Sequence, residues 1–218
     1  MNKIENVKAI IFDMDGVLLD SETVCDRTWE LAFKELGMEP NPKVLKACIG
    51  CNKTDSAKIL REHLGADFNS EKFLERTSYH FHKIEESEGI PLMPYVVEAL
   101  EYLSKKYILA VASSTREESV RRELNNADIA KYFKTFTCGD MVAHSKPDPQ
   151  IYLLACQSID MNPADCVAIE DSYNGVRSAV TAGIRTIMVP DKLAPNDEMK
   201  KIATEICTNL KVVIENCL

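Results

Sequence analysis

The apolar run Ala9-Ile10-Ile11-Phe12 ends abruptly on Asp13-Met14-Asp15-Gly16, and this junction constrains the fold more than any other stretch. A β-branched run that stops at two carboxylates cannot continue onward as a buried strand. Alternate residues of an extended chain point to one side, so Asp13 and Asp15 can present both acids to one small volume. Two like charges held that close need a cation or a shared proton between them. Gly16 lets the backbone turn sharply or lie against a ligand. A surface turn with two solvated acids has the same local pattern, so the rest of the chain must decide.

The 218 residues suffice for one α/β domain, or a domain with a smaller insertion. A net charge of −8 lacks the basic face that nucleic acid requires, which argues against such a partner. No apolar run approaches the roughly 18 residues that would cross a bilayer, so no membrane association is expected. The first ten residues mix Lys, Glu and Asn without an apolar core of signal-peptide length. These features predict a cytoplasmic protein, a monomer or weak dimer. The eight cysteines fall mostly in apolar segments, where Cys138, Cys156, Cys166 and Cys207 read as small buried hydrophobes. Cys48 and Cys51 have C-x-x-C spacing but lack the second pair a zinc site needs, and fit free thiols in a reducing compartment.

Beyond Asp20 the pattern becomes helical. Ser21 is an N-cap candidate, and Val24, Leu31, Ala32 and Leu36 are helically spaced before Gly37. Lys43–Cys48, Asn52–Leu64 and Ser70–Glu88 read as three further helices, so residues 18–90 form an all-helical block bounded by Pro91 and Pro94. From Tyr95 onward helices alternate with the apolar runs 108–112, 135–138, 166–169 and 185–189, and a last strand falls near Ile206. Such alternation means βα units and a parallel sheet. The expected architecture is a Rossmann-like parallel α/β core, residues 1–17 and 91–218, with a helical cap inserted after its first strand.

Ligands of open parallel sheets bind beyond the carboxyl ends of the strands. The first strand delivers Asp13 and Asp15 there, the second Ser113-Ser114-Thr115-Arg116, and the strand ending at Ile169 delivers Glu170 and Asp171. Lys146 lies in the loop Lys146-Pro147-Asp148-Pro149, where Asp148 can cap a helix starting at Pro149. Singly, each has an ordinary explanation: a turn hydroxyl, a solvated lysine, an acidic helix N-terminus. Together they form an inventory suited to a hard divalent cation and a phosphate.

Asp13-x-Asp15-Gly16-Val17-Leu18-x-Asp20-Ser21, Ser113, Lys146-Pro147-Asp148-Pro149 and Glu170-Asp171-Ser172-x-Asn174-Gly175 resemble the four motifs of the haloacid-dehalogenase-like superfamily. The helical insert is similar to the cap of the subgroup containing β-phosphoglucomutase and many sugar-phosphate phosphatases. The resemblance implies Asp13 as nucleophile and Asp15 as general acid and base. It implies magnesium (Mg2+) held by the Asp13 and Asp171 carboxylates and the Asp15 main-chain carbonyl, with Glu170 an outer or water-mediated ligand. Ser113 and Lys146 would bind the transferring phosphoryl oxygens. Ser114, Thr115 and Arg116 would be further substrate contacts, as would Lys53 and Ser56 in the cap.

Two departures from the mutase branch stand out: Cys25 replaces a His in the first cap helix, and Pro94-Tyr95 replaces a Pro-Gly. His80 and His82, two apart on a helix, face different sides and do not form a metal pair. The resemblance implies a magnesium-dependent phosphatase acting on a small phosphate ester, with sugar phosphates among the candidates. A β-phosphoglucomutase-type isomerase is the alternative at the same site, and a non-catalytic metal- or phosphate-binding module the alternative of another class. Phosphonoacetaldehyde hydrolase would need a Schiff-base lysine in the cap, and no lysine is identified for it.

Overall fold

The computed structural model describes residues 3–48 and 53–218. Its contacts divide the chain into two compact units, Met1–Asp20 with Pro91–Leu218, and Ser21–Ile90.

The first unit is built on a six-stranded parallel sheet: β1 (Ala9–Phe12), β2 (Ile108–Ser113), β3 (Thr135–Cys138), β4 (Cys166–Glu170), β5 (Arg185–Met188) and β6 (Glu205–Ile206). The spatial order is β3-β2-β1-β4-β5-β6, with every pair parallel. Order reverses where β1 lies between β2 and β4, the switch point at which such sheets bind ligands. Phe12 stands opposite Val111 on β2 and Ile169 on β4, so the register places Asp13 beside Ala112 and Glu170.

The central strands β1, β2 and β4 are buried and apolar up to their carboxyl ends, as strands covered on both faces are. Ala9 and Ile11 pack with Ala110, Ala112 and Ala168 against Ile151, Tyr152, Ala155 and Cys156, all buried. Burying one large side chain of this kind stabilises by about 1.5–3 kcal/mol. The four cysteines expected inside are buried.

Two strands run one residue longer than the sequence predicts, so Ser113 and Glu170 close β2 and β4 rather than opening their exit loops. The helix after Lys146 begins at Gln150, not Pro149, with Asp148 Oδ1 accepting the Gln150 N–H at 2.9 Å. A short helix over Asp197–Ile202 escapes the sequence reading, since Met199 is its one buried residue. Leu18 and Leu19, expected with the helical block, stay with the sheet unit. Leu18 donates to Met14 O at 2.9 Å, and Leu19 bridges to Leu92.

The second unit is helical: α1 (Ser21–Glu35), α2 (Pro42–Cys48), α3 (Lys53–Leu64) and α4 (Ser70–Glu88). Ser21 is the first helical residue of α1 rather than its cap. Leu31 and Leu36 are exposed, and the buried face of α1 is Val24, Thr28, Ala32 and Phe33. Phe73 of α4 centres this core, its ring 4.7 Å from Phe33 and 5.2 Å from Trp29. His80 and His82 meet different carboxylates, Glu35 at 3.1 Å and Glu85 at 3.4 Å, in keeping with their separate faces. Cys51, and so the C-x-x-C pair, lies outside the described residues. No helix among the described residues is long and apolar enough to cross a membrane.

Candidate active site

The sheet pairing extends one step past β1, with the Asp13 N–H donating to Ile169 O at 2.9 Å. The Asp13 side chain is therefore fixed at the switch point, 7 % exposed. From Met14 the chain folds back on itself. Met14 O accepts from the Leu18 and Leu19 N–H groups, and Gly16 N–H donates to Leu19 O at 2.9 Å. Gly16 has φ +76°, and a Cβ there would lie 2.6 Å from Asp171 Oδ2. Glycine is needed on both counts.

Lys146 Nζ donates to Asp13 Oδ1 at 2.6 Å, to Glu170 Oε1 at 2.7 Å and to Ala112 O at 3.0 Å. All three of its protons are thus placed. Burial would lower this ammonium, but Asp13 and Glu170 hold it well above its usual range, so it stays charged. Burial pushes the Asp13 carboxyl up to about 8, against the pull of Lys146 and with the help of Glu170 and Asp15. Asp171 is likewise raised well above the carboxylate range, first by burial and then by Glu170 and Asp13. Crowded acids of this kind favour a cation among them.

Carboxylate oxygens of Asp13, Glu170 and Asp171 lie within 4.8 Å of one another. Proximity alone would make all three metal ligands, yet Glu170 is already occupied. Its Oε1 accepts from Lys146 and from Tyr152 Oη at 3.1 Å. Its Oε2 accepts from Asp171 N, Ser172 N and Ser172 Oγ at 3.0–3.1 Å. Five donors fill the roughly four lone-pair sites of a carboxylate. Glu170, fully buried, is an anchor joining Lys146 to the turn that carries Asp171.

Ser113 is buried, and its Oγ accepts the Thr115 N–H at 3.0 Å. Thr115 Oγ1 donates to Asp15 Oδ2 at 3.0 Å, while Ser114 and Arg116 are exposed on either side. Ser56 is buried in α3, and the side chain of Lys53 is outside the described part of that helix. Asp13, Asp15, Thr115, Lys146, Glu170 and Asp171 thus form one linked cluster at the sheet's carboxyl edge. Gly175, the last residue of the fourth motif, packs against Glu170, and Tyr152, which the sequence reading misses, also belongs to the cluster. Only the position of Tyr152 one turn after the Lys-Pro-Asp-Pro motif hinted at it.

A doubly wound parallel sheet with acids, a lysine and hydroxyls gathered at its switch point defines an α/β enzyme core. The sequence profile of the haloacid dehalogenase-like hydrolases matches residues 10–189, and the chain belongs to that family. It is 35% identical over 182 residues to the phosphorylated carbohydrates phosphatase of Thermotoga maritima, covering 83% of this chain and 84% of that protein. It is 29% identical over 208 residues to hexitol phosphatase B of Escherichia coli, covering 90% of each. A crystal structure from Thermotoga maritima assigned as a β-phosphoglucomutase superposes with a TM-score of 0.81 at 31% identity, covering 96% of this chain and 97% of that one.

Proposed function

We propose that this chain is a magnesium-dependent phosphatase that hydrolyses a small phosphorylated carbohydrate through an aspartyl-phosphate on Asp13. The observation that carries the reading is the 2.6 Å pair of Asp13 and Lys146 at the switch point. It sets a nucleophilic oxygen beside a fixed positive charge. Similarity to a phosphorylated carbohydrates phosphatase and a hexitol phosphatase supports the substrate class.

An Asp13 oxygen bonds to phosphorus, the bond to the leaving oxygen breaks, and Asp15 gives that oxygen its proton. Water then bonds to phosphorus, the bond to Asp13 breaks, and Asp15 takes the water's proton. Ser113 holds one phosphoryl oxygen, and Lys146 holds another by turning to it the proton it gives Asp13 Oδ1 in the free site. Positioning and concentrated charge supply most of such an acceleration, which reaches about 10²¹ for phosphate monoesters. The all-oxygen donors and the raised Asp13 and Asp171 fit a hard cation. Asp13, Asp171 and the Asp15 carbonyl would hold magnesium, which when bound neutralises charge on the phosphoryl group. Glu170 is left out of this ligand set because its oxygens are filled. Ser114, Arg116, Lys53 and Ser56 stay candidates for substrate contacts on the resemblance alone.

A mutase at the same site is the second reading, favoured by the structural likeness to the protein assigned as a β-phosphoglucomutase. Cys25, half-buried in α1, is a weak hydrogen-bond partner compared with a histidine and offers little to report cap closure. Hydrolysis is therefore expected to win. The test is phosphate release from a panel of phosphate esters with magnesium and with EDTA, plus product analysis with β-glucose 1-phosphate and a trace of the 1,6-bisphosphate. Metal-dependent release of free phosphate supports the phosphatase. Glucose 6-phosphate forming faster than free phosphate promotes the mutase, and no turnover on any ester leaves a binding module.

A further inference from the structure

The exit of β2 holds Thr115 more firmly than a substrate contact requires. Its N–H donates to Ser113 Oγ at 3.0 Å, and its carbonyl accepts the Gly139 N–H at 2.9 Å. Gly139 lies so close that a Cβ there would fall 2.1 Å from Ser114 O. Thr115 is thus pinned between the ends of β2 and β3. From that fixed point its hydroxyl donates to Asp15 Oδ2 at 3.0 Å. A hydroxyl carries one proton, so the one given to Asp15 is not available to a phosphate. Both residues belong to the sheet unit.

We propose that Thr115 is a positioning residue that holds Asp15 in line for the second half-reaction. The proposal rests on the reading of Asp15 as the acid and base. In that half-reaction the water oxygen bonds to phosphorus and the P–O bond to Asp13 breaks, its electron pair returning to the Asp13 carboxylate. The water's proton goes to Asp15. Anchoring one oxygen of Asp15 limits the rotation of the carboxylate and so fixes the direction from which it takes that proton. A carboxylate that Thr115 already holds in place is ready for water as soon as Asp13 is phosphorylated, which favours hydrolysis over return of the phosphoryl group to an alcohol.

The test uses p-nitrophenyl phosphate with magnesium, because p-nitrophenolate leaves without a proton and phosphorylation of Asp13 then barely needs Asp15. Thr115→Val and Thr115→Ala should show a rapid burst of p-nitrophenolate followed by a steady rate about tenfold slower. The ratio kcat/KM should stay close to wild type, and Thr115→Ser should restore the steady rate. Wild-type kcat without a burst in both hydroxyl-free variants would overturn the proposal. An equal loss in kcat and kcat/KM would also overturn it, assigning Thr115 to phosphate binding instead. Asp15→Asn separates the two claims: if it stalls after the burst while the Thr115 variants do not, the positioning role fails alone. If Asp15→Asn itself turns over normally, the acid–base reading fails with it.

Discussion

A Cβ built on Gly175 would fall 1.7 Å from Glu170 Oε1 and 1.9 Å from its Cδ. The first turn of the helix Tyr173–Thr181 therefore lies directly on the carboxylate that anchors Lys146. No rotamer of a larger residue relieves this, since the clash is with Cβ itself. Gly175→Ala is expected to destabilise the protein by about 2 kcal/mol, or roughly 4–8 °C in melting temperature. Displacing Glu170 also frees Lys146, so phosphatase activity should fall in whatever fraction remains folded. A thermal melt beside a phosphate-release assay checks both. An unchanged melt would mean that Glu170 and Gly175 are not packed as described.

Magnesium should raise the melting temperature of the wild type, and Asp171→Ala should remove most of that rise. A ligand that binds only the native state stabilises it by mass action, by about 2.7 kcal/mol at a hundredfold excess over Kd. Glu170→Gln tests the division of labour between the two neighbouring acids. It keeps most of the shape of the anchor, so the magnesium-induced shift should survive although activity falls. Loss of the shift in Glu170→Gln, with Asp171→Ala still responding, would reverse the two roles.

Much of the site was readable in the chain because strand exits in a parallel sheet converge. Asp13, Ser113 and Asp171 each lie at or just past the end of an apolar run, and the fold needs only the strand order to bring them together, while Lys146 was legible from its Lys-Pro-Asp-Pro loop. The strand ends were less legible. Ser113 and Glu170 are polar and look like loop residues, but their backbones still pair in the sheet. The face of α1 was misread because Leu31 and Leu36 are hydrophobic yet exposed, while Thr28 is buried with its hydroxyl bonded to Cys25 O at 2.7 Å. Glu170 was the hardest case. Its burden of five donors comes from Lys146, Tyr152 and the Asp171-Ser172 turn, and no spacing rule in a sequence counts donors.

The helical unit should carry its own acid sensitivity. Arg76 grips Glu35 through both carboxylate oxygens at 2.7 and 2.8 Å, and His80 approaches at 3.1 Å. The Arg76 hydrogen bonds, aided by His80, lower the Glu35 carboxyl to about 2. A depressed carboxyl stabilises the fold above its unfolded value near 4.5 and loses that contribution as pH falls toward 2. The stability gap between wild type and Glu35→Gln should therefore be full at pH 6 and shrink steadily below pH 4.5. Denaturant melts of both proteins across this range are the check, and a gap that widens on acidification would contradict the assignment.

Covalent capture on Asp13 tests the central claim most directly. Asp15→Asn should let Asp13 accept the phosphoryl group from p-nitrophenyl phosphate but slow its release to water. Acid-quenching that variant and mapping its peptides by mass spectrometry should find one added phosphoryl group on the peptide holding Asp13. The adduct should be absent from Asp13→Asn, which should stay folded and lose turnover, because an amide is a poor nucleophile. Phosphoryl label on another residue, or wild-type turnover by folded Asp13→Asn, would contradict the aspartyl-phosphate mechanism.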